Sequence, residues 1–294
     1  MAVNFSNDFF FAVAGRPYTV LFDPRNVILK SITFRKPASE WVWQIENAPR
    51  ALNRSEAALA LGSFSASEAL AALLRSAASD QFFGTRLASI GSLTRTASED
   101  IREPMLNLLT DKDLRIRKAA ASALGGLPKD NDCVARLLDL ARTDPSYSVR
   151  QSALSAVIRL KPDRLIELVT PFLDMDSPGQ RMRPMAMSAL AKLGDESIVP
   201  KLLELSHDSN DRVRRTALQT FAYLGKGRQN VVDRLVESLR DQDKVERLTA
   251  IEVLSQRTDA AAIEPLQHLV NTESLPGVVR AARAALESMG TSGK

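Results

Sequence analysis

Few residues of this chain have side chains suited to catalysis. Its 294 residues include two histidines and one cysteine. His207 and His268 stand sixty-one residues apart, whereas the zinc motif H-E-x-x-H places two histidines four residues apart on one helix face. Cys133 begins an apolar stretch, so we expect it in the core and not as a nucleophile. Because no Gly-rich phosphate loop and no Ser/His/Asp set occurs either, we expect no catalytic residue, metal ligand or cofactor in this chain.

Arginine is the charged residue type that recurs at a regular spacing. Eight arginines recur at intervals of 31 to 33 residues: Arg54, Arg86, Arg117, Arg150, Arg183, Arg214, Arg247 and Arg280. A guanidinium group can bind an anion or pair with a carboxylate. We interpret the series as structural, because a period of this size marks a stack of repeated supersecondary units.

An apolar helix face follows each arginine. After Arg117, the residues at offsets three, four and seven are Ala120, Ala121 and Leu124. These offsets lie on one face of an α-helix, and the small residue at offset three lets a neighbouring helix approach closely. Glycine follows several of these faces, at Gly62, Gly125, Gly194 and Gly225. We expect left-handed C-caps at these glycines.

An aspartate stands six residues before most of the arginines. These aspartates are Asp80, Asp111, Asp144, Asp208 and Asp241, and Ser177 and Ser274 replace them in two repeats. Aspartate and serine favour the N-cap position, so we expect each to cap the helix that carries the arginine. The aspartates and arginines can also pair between adjacent repeats as a ladder.

A second amphipathic segment completes each repeat. Examples are residues 101–109, 134–141, 165–173, 198–205, 231–239 and 263–270. Pro104, Pro200 and Pro265 lie near segment starts, where a helix tolerates proline. Pro184 directly follows an arginine of the series, so that helix is expected to start late or to kink.

The repeat pattern resembles that of HEAT-like proteins. Residues 144–150 (DPSYSVR) and 208–214 (DSNDRVR) fit the D-x-x-x-x-V-R start of the short bacterial form. The expected fold is mainly α, a right-handed α-solenoid of about eight HEAT-like helix-turn-helix repeats over residues 39–290. Residues 291–294 are expected to be a disordered tail.

The first 38 residues have a different composition. Residues 9–13, 18–22 and 27–34 are runs rich in β-branched and aromatic residues, separated by turn residues at 15–17 and 23–26. We expect a short antiparallel β element here. Three strands rarely bury a face alone, so this element should pack on the first helices or belong to a larger sheet.

Residues 20–30 read VLFDPRNVILK, and the similarity continues at Ile32, Phe34, Lys36 and 40–41. This stretch resembles the end of the β-sandwich domain in zinc aminopeptidases of the alanyl aminopeptidase (gluzincin) family. Residues 48–57 continue the pattern into the HEAT-like tail of bacterial members. The resemblance implies a non-catalytic C-terminal domain that walls the substrate cavity of a parent enzyme and restricts access to it. The zinc would belong to that parent, since H-E-x-x-H and G-x-M-E-N are absent here.

The exposed side of the helices that carry the arginines is small and nearly neutral. Candidate contacts on this concave face are Lys118, Ser122, Gln151, Ser155, Ser188, Arg215 and Gln219. Their partner would be the catalytic domain of the parent peptidase. In the alternative function, a stand-alone scaffold, they would hold a partner protein or peptide in the groove. An enzyme built on such repeats, like the HEAT-like bilin lyases or alkylpurine DNA glycosylases, needs charged or aromatic clusters that this face lacks.

Composition narrows the possible partners and locations. The net charge is +4 and the pI is about 9.3. The exposed side of the helices that carry the arginines has no continuous stripe of basic residues, which disfavours nucleic acid as a partner. No apolar run approaches the length of a membrane span, and the first residues lack the basic-then-apolar order of a signal peptide. A single cysteine is typical of a reducing compartment, so we expect a cytoplasmic protein.

Overall fold

Helix pairs make up both compact units of the chain, residues 1–160 and 161–294. The computed structural model describes residues 12–21, 23–25, 27, 35–96 and 98–291. In unit 1 the helices are α1 (Ala38–Asn47), α2 (Ala51–Leu61), α3 (Ser67–Ser79), α4 (Phe83–Thr96), α5 (Arg102–Leu108), α6 (Leu114–Leu124), α7 (Asn131–Thr143) and α8 (Tyr147–Leu160). In unit 2 they are α9 (Leu165–Val169), α10 (Met182–Leu193), α11 (Val199–Leu205), α12 (Asp211–Thr220), α13 (Gln229–Ser238), α14 (Lys244–Arg257), α15 (Ile263–Thr272) and α16 (Pro276–Thr291). Odd-numbered helices come first in each repeat, and even-numbered second helices carry the arginine series.

The buried face of the second helices lies at the offsets that the sequence predicts. In unit 1 every residue three, four or seven positions after an arginine of the series is at most 2% exposed. The innermost side chains of α6 are Ala120, Ala121 and Leu124. The small alanine side chains at the first two of these positions let neighbouring helices approach, so α6 packs closely between α4 and α8.

The helix after Pro184 starts late, which confirms one of the two outcomes predicted for it. Helix α10 begins at Met182, one residue before Arg183, whereas α6 begins at Leu114, three residues before its arginine. Pro184 therefore falls in the first turn, where its missing N–H removes no intrahelical hydrogen bond. Helix α10 continues unbroken to Leu193.

Two of the four glycines predicted as left-handed caps have another role. Gly194 and Gly225 are left-handed, with φ of 72° and 71°. Gly62 and Gly125 are right-handed, with φ of −62° and −68°, so the prediction is wrong for them. A Cβ on Gly125 would lie 2.7 Å from the backbone of Ala156 in the next second helix. Glycine is needed there for the close approach of the next repeat and not for its backbone freedom.

The predicted β element is not confirmed. No strand occurs in described residues 12–21, 23–25 and 27, and its other residues, 9–11, 22, 26 and 28–34, lie outside the described part. Side chains hold the described segment on α1 instead. Tyr18 stacks on Trp43 with ring centroids 5.8 Å apart. Lys36 Nζ donates to Thr19 Oγ1 at 3.1 Å and to Gln44 Oε1 at 2.7 Å.

The last repeat exposes positions that inner repeats bury. Arg283, Ala284 and Glu287 occupy offsets three, four and seven, and all three are exposed. A polar outer face of this kind suits the end of a repeat stack. Helix α16 continues to Thr291, and residues 292–294, most of the predicted tail, lie outside the described residues. Within the described chain, no helix is both long and apolar enough to span a bilayer.

Candidate binding surface

The arginines of the series connect neighbouring repeats. Arg117 donates from Nε and Nη2 to both carboxylate oxygens of Asp144, at 2.7 and 3.0 Å, and from Nη1 to the carbonyl of Asp111 at 2.8 Å. Arg54 and Asp80 form the same two-bond pair at 2.7 and 2.9 Å. The carboxylate of Asp144 is 2% exposed, so this paired geometry compensates a nearly buried charge.

Two further pairs follow the same rule with single hydrogen bonds. Arg86 donates to Asp111 at 2.5 Å, and Arg183 donates to Asp208 at 2.7 Å. Each pair joins one repeat to the next. In the same ladder, Arg150 has only local contacts among the described residues: it donates to the backbone carbonyl of the preceding aspartate at 2.5 Å.

Glutamates replace the aspartates in the later repeats. Arg214 donates to Glu246 at 2.9 Å, although Asp241 stands six residues before the next arginine. Arg247 pairs with Glu273 at 2.8 Å. Ser274 occupies the usual aspartate position there, so the carboxylate comes from the preceding residue. Arg280, in the last repeat, is exposed.

The aspartates of the ladder are not N-caps, and that prediction is wrong. Asp111 Oδ1 accepts from the N–H of Asp113 at 2.8 Å, which makes it the first residue of the turn before α6. Asp113 is the N-cap and accepts from the N–H of Arg115. Asn210 and Asp243 cap α12 and α14 in the same way. The ladder aspartate is already engaged by its turn and by the preceding arginine, so the helix N–H groups are capped two residues later.

Hydrogen bonds favour the ionised form of two ladder carboxylates, Asp80 and Asp111. Burial alone would raise the pKa of Asp80, but the hydrogen bonds from Arg54 and from the N–H of Phe82 outweigh it, and the pKa of Asp80 is lowered. The same balance, with Arg86 as the donor, lowers the pKa of Asp111. These groups therefore remain charged well into the acidic range.

A second set of arginines lies nine or ten residues after the first. Arg159 donates to the carbonyl of Ser122 in the preceding second helix at 2.9 Å. Arg257 donates to the carbonyls of Phe221, Leu224 and Gly225 at 2.6, 2.8 and 2.9 Å. These arginines satisfy carbonyls that end the helix of the previous repeat. The sequence-based choice of exposed positions extended only five residues past each arginine of the series, as from Arg117 to Ser122. It therefore missed arginines that lie about one helical turn further along.

In unit 2 the outward face of the second helices contains a polar cavity of about 280 Å³. Its side chains come from α10, α12, the turn after α12, and α14, and include Ser188, Lys192, Thr216, Gln219, Tyr223, Glu252 and Gln256. Two predicted contacts, Ser188 and Gln219, thus line one cavity. Arg215, predicted beside them, is half-buried and pairs with Asp243 at 3.0 Å. Tyr223 is 63% exposed and was not singled out from the sequence.

The other predicted contacts lie on the outward face of unit 1. Lys118 and Ser122 on α6 are exposed, and Gln151 and Ser155 on α8 are half-buried. All four belong to second helices, as the sequence indicates.

The chemically versatile residues lie apart from this surface. Cys133 in α7 is 1% exposed, and burial raises the pKa of its thiol to about 11, so little thiolate forms at neutral pH. His207 and His268 are both exposed. Within the described ranges, no group of three His, Cys, Asp or Glu side chains is arranged to hold a metal ion.

These repeats match a known family. A family model described as HEAT repeats matches residues 74–158, 134–222 and 199–287, which together are more than half of the chain. The chain therefore belongs to the family of HEAT-repeat proteins. No curated protein matches it.

Several solved structures are similar to this chain. The Escherichia coli protein YibA is 17% identical, with a TM-score of 0.52 over 82% of this chain and 98% of that one. The complex of CpcE and CpcF of phycocyanin lyase from Nostoc sp. PCC7120 is 17% identical, with a TM-score of 0.47 over 90% and 98%. Human deoxyhypusine hydroxylase in complex with glycerol is 19% identical, with a TM-score of 0.39 over 86% and 96%. The likeness to YibA shows a shared fold, and the other two support no further conclusion.

Proposed function

We propose that this chain is a HEAT-repeat scaffold that binds an extended segment of a partner protein on the second-helix surface of unit 2. The cavity between α10, α12 and α14 supports this proposal. Repeat proteins use such surfaces, built from one face of successive helices, to hold extended partners.

The side chains of the cavity suit the polar backbone of a peptide. Gln219 and Gln256 each offer amide donors and an acceptor, and Thr216 adds a hydroxyl. Lys192 and Glu252 have opposite charges, so the cavity favours neither a polyanion nor a polycation.

Tyr223 is the expected anchor of the interaction. It is 63% exposed at the cavity, and an exposed tyrosine combines apolar ring area with a hydroxyl group. Tyrosine is enriched among interface residues that dominate binding energy.

Site-specific crosslinking tests this proposal. A photoreactive phenylalanine analogue in place of Tyr223 should capture one partner in the source cells, which is then purified for binding measurements. Tyr223→Ala should weaken binding of that partner at least tenfold because it removes the anchor. Tyr147→Ala in unit 1 is the matched control and should change affinity less than twofold. Wild-type affinity in the Tyr223 variant would contradict the proposal.

The similarity of residues 20–41 to the end of an aminopeptidase β-sandwich favours a second candidate. In that case the partner is the catalytic domain of a parent zinc aminopeptidase, and this chain walls its cavity without binding zinc itself. The gene sequence upstream of Met1 tests this candidate. A continuous reading frame with H-E-x-x-H and G-x-M-E-N would support it, and deletion of the repeats should then alter peptide-length selectivity. A frame without these motifs would exclude it.

A further inference from the structure

We propose that unit 1 binds a proline-rich segment with acidic residues, held as an extended polyproline II helix. The binding surface is the edge row, which consists of Phe83, Leu114 and Tyr147, the first residues of α4, α6 and α8. This surface is additional to the cavity of unit 2, and the inference does not depend on that cavity.

The edge row occupies a single position of the repeat. Each of its members stands three residues before an arginine of the series. The same position in unit 2 carries no apolar side chain, and its residues there are Gln180, Asp211, Lys244 and Gly277. If the repeat framework required an apolar residue at this position, unit 2 would carry one as well.

The side chains of the edge row lie at the surface. Leu114 is 45% exposed and Tyr147 is 36% exposed. Phe83 is half-buried beside Phe82, which is 42% exposed, and their ring centroids are 4.8 Å apart. Large apolar side chains grouped on a surface are typical of a site where another molecule binds.

Arginines hold two rings of the edge row in place. The Cζ of Arg115 in α6 lies 3.3 Å from the ring centroid of Phe83 in α4. The Cζ of Arg150 lies 4.6 Å from the ring centroid of Tyr147. Rings that are already fixed lose little conformational freedom when a partner binds them.

The spacing of the edge row selects the conformation of the partner. Helix α6 packs between α4 and α8, and packed helices lie about 8–10 Å apart. Three residues of a polyproline II helix advance about 9.3 Å and return to the same face. Side chains of a β-strand alternate between faces, so those at i and i+3 point to opposite sides. The edge row therefore fits a polyproline II helix, and aromatic side chains commonly receive proline-rich segments.

The charges beside the edge row favour acidic residues in the partner. Every carboxylate in the turns before these three helices is paired with an arginine: Asp80 with Arg54, Asp111 with Arg86, Asp113 with Arg115, and Asp144 with Arg117. Lys112 is exposed and Arg150 is half-buried, and neither forms an ion pair with the described residues. Aspartate or glutamate between the prolines would complement these two cations.

Synthetic peptides test the edge row in the full-length protein. The probe is a fluorescein-labelled peptide of repeated Pro-Pro-Glu triplets over about 12 residues. One comparison peptide repeats Pro-Pro-Lys, and the other repeats Gly-Ser-Glu, which keeps the charge but forms a flexible coil. Fluorescence anisotropy should show at least fivefold tighter binding of the Pro-Pro-Glu peptide than of either comparison.

Leu114→Ser and Tyr147→Ala should each weaken binding of the Pro-Pro-Glu peptide at least fivefold. Lys244→Ala is the matched control, because it changes the same repeat position in unit 2, and it should bind like wild type. Lys112→Glu alters only an exposed side chain. It should weaken the Pro-Pro-Glu peptide and strengthen the Pro-Pro-Lys peptide.

Four results would overturn this assignment. Wild-type affinity in Leu114→Ser and Tyr147→Ala would exclude the edge row, and equal binding of the Gly-Ser-Glu peptide would leave charge alone as the cause. Competition by a single-stranded oligothymidine would assign the surface to nucleic acid. Weakening by Tyr223→Ala would place the peptide in the cavity of unit 2. Because the crosslinking experiment probes unit 2, a failure here would leave the proposed function standing.

Discussion

Arg117 satisfies two kinds of acceptor with one side chain. Its Nε and Nη2 bind the carboxylate of Asp144 in the next repeat, and its Nη1 binds the carbonyl of Asp111 in its own turn. Arginine alone has enough donors in a fixed planar array for this arrangement. The residue thus fixes the start of its own helix and the junction to the next repeat at once.

Loss of this arginine should cost about 3 kcal/mol of unfolding free energy, because it leaves the buried carboxylate of Asp144 without its partner. We expect Arg117→Ala to lower the urea midpoint clearly, and Arg117→Lys to recover only part of the loss. Arg150→Ala is the control and should cost about 1 kcal/mol, since Arg150 bonds a carbonyl and no carboxylate among the described residues. Equal losses in Arg117→Ala and Arg150→Ala would argue against a buried-charge explanation.

For single residues, the sequence predicts the spacing of the arginines and the buried positions that follow them better than it predicts the helix N-caps. The arginine series and the alanines of α6 follow from spacing alone. The mistaken N-caps arose because Asp111 and Asp113 are both good capping residues, and only three-dimensional contacts decide which one binds the arginine. Propensity does not distinguish two aspartates in one turn.

The ends of helices are completed by neighbouring repeats. Arg257 is a side chain from α14, yet it holds three carbonyls at the end of α12. Gly125 has the converse role, since it leaves room for α8. Such contacts are long-range in sequence, and for this reason local patterns did not reveal them.

Arg257→Ala should destabilise the protein by about 2–4 kcal/mol, because it removes a buried donor from three carbonyls that water cannot reach. Arg95→Ala is the counterpart in unit 1. Arg95 is exposed and reaches one carbonyl at 3.4 Å, so its loss should cost below about 1 kcal/mol. Chemical denaturation followed by circular dichroism measures both, and a smaller effect for Arg257 than for Arg95 would refute this ranking.

Helix existence was predictable, and the N-terminal segment was not. Helix-period patterns identify every first segment from α5 to α15, and Pro184 correctly signals the late start of α10. The apolar residues near Tyr18 also suggest strands by propensity. In the described residues they are fixed on α1 by stacking and by Lys36, contacts that β propensity does not encode.

Within the part of the chain that the structure describes, the ladder and other ion pairs engage many charged side chains, so the 39 basic and 35 acidic residues are not all available to a partner. The net charge of +4 therefore says little about ligands by itself. The candidate contacts were only partly predictable, since exposure and cavities depend on packing that spacing does not specify.

Acid should weaken the protein through the ladder. The pKa values of Asp80, Asp111 and Glu273 are lowered on folding, so the unfolded chain binds more protons in the acidic range. Stability from these groups is complete above their unfolded pKa values of about 4 and is lost as pH falls through the lower folded values.

Urea midpoints at pH 6, 5, 4 and 3 measure this loss. We expect little change from pH 6 to pH 5 and a clear fall between pH 4 and pH 3. Asp80→Asn should have a shallower pH dependence than wild type, since it removes one of the titrating groups. An unchanged wild-type midpoint at pH 3 would contradict the expectation.

The ladder also makes the repeats interchangeable. Arg54 donates to Asp80 in the next repeat, and Asp80 thus accepts from the repeat before it. Each inner repeat thus resembles a monomer of a head-to-tail polymer, with a donor at one end and an acceptor at the other. Where Glu273 supplies the carboxylate from one position earlier, the joint tolerates a shift of one residue in the turn. The repeat that carries Asp111 and Arg117 has both halves of the joint, so its duplication would preserve the contact on each side and lengthen the array by one repeat without a redesigned interface.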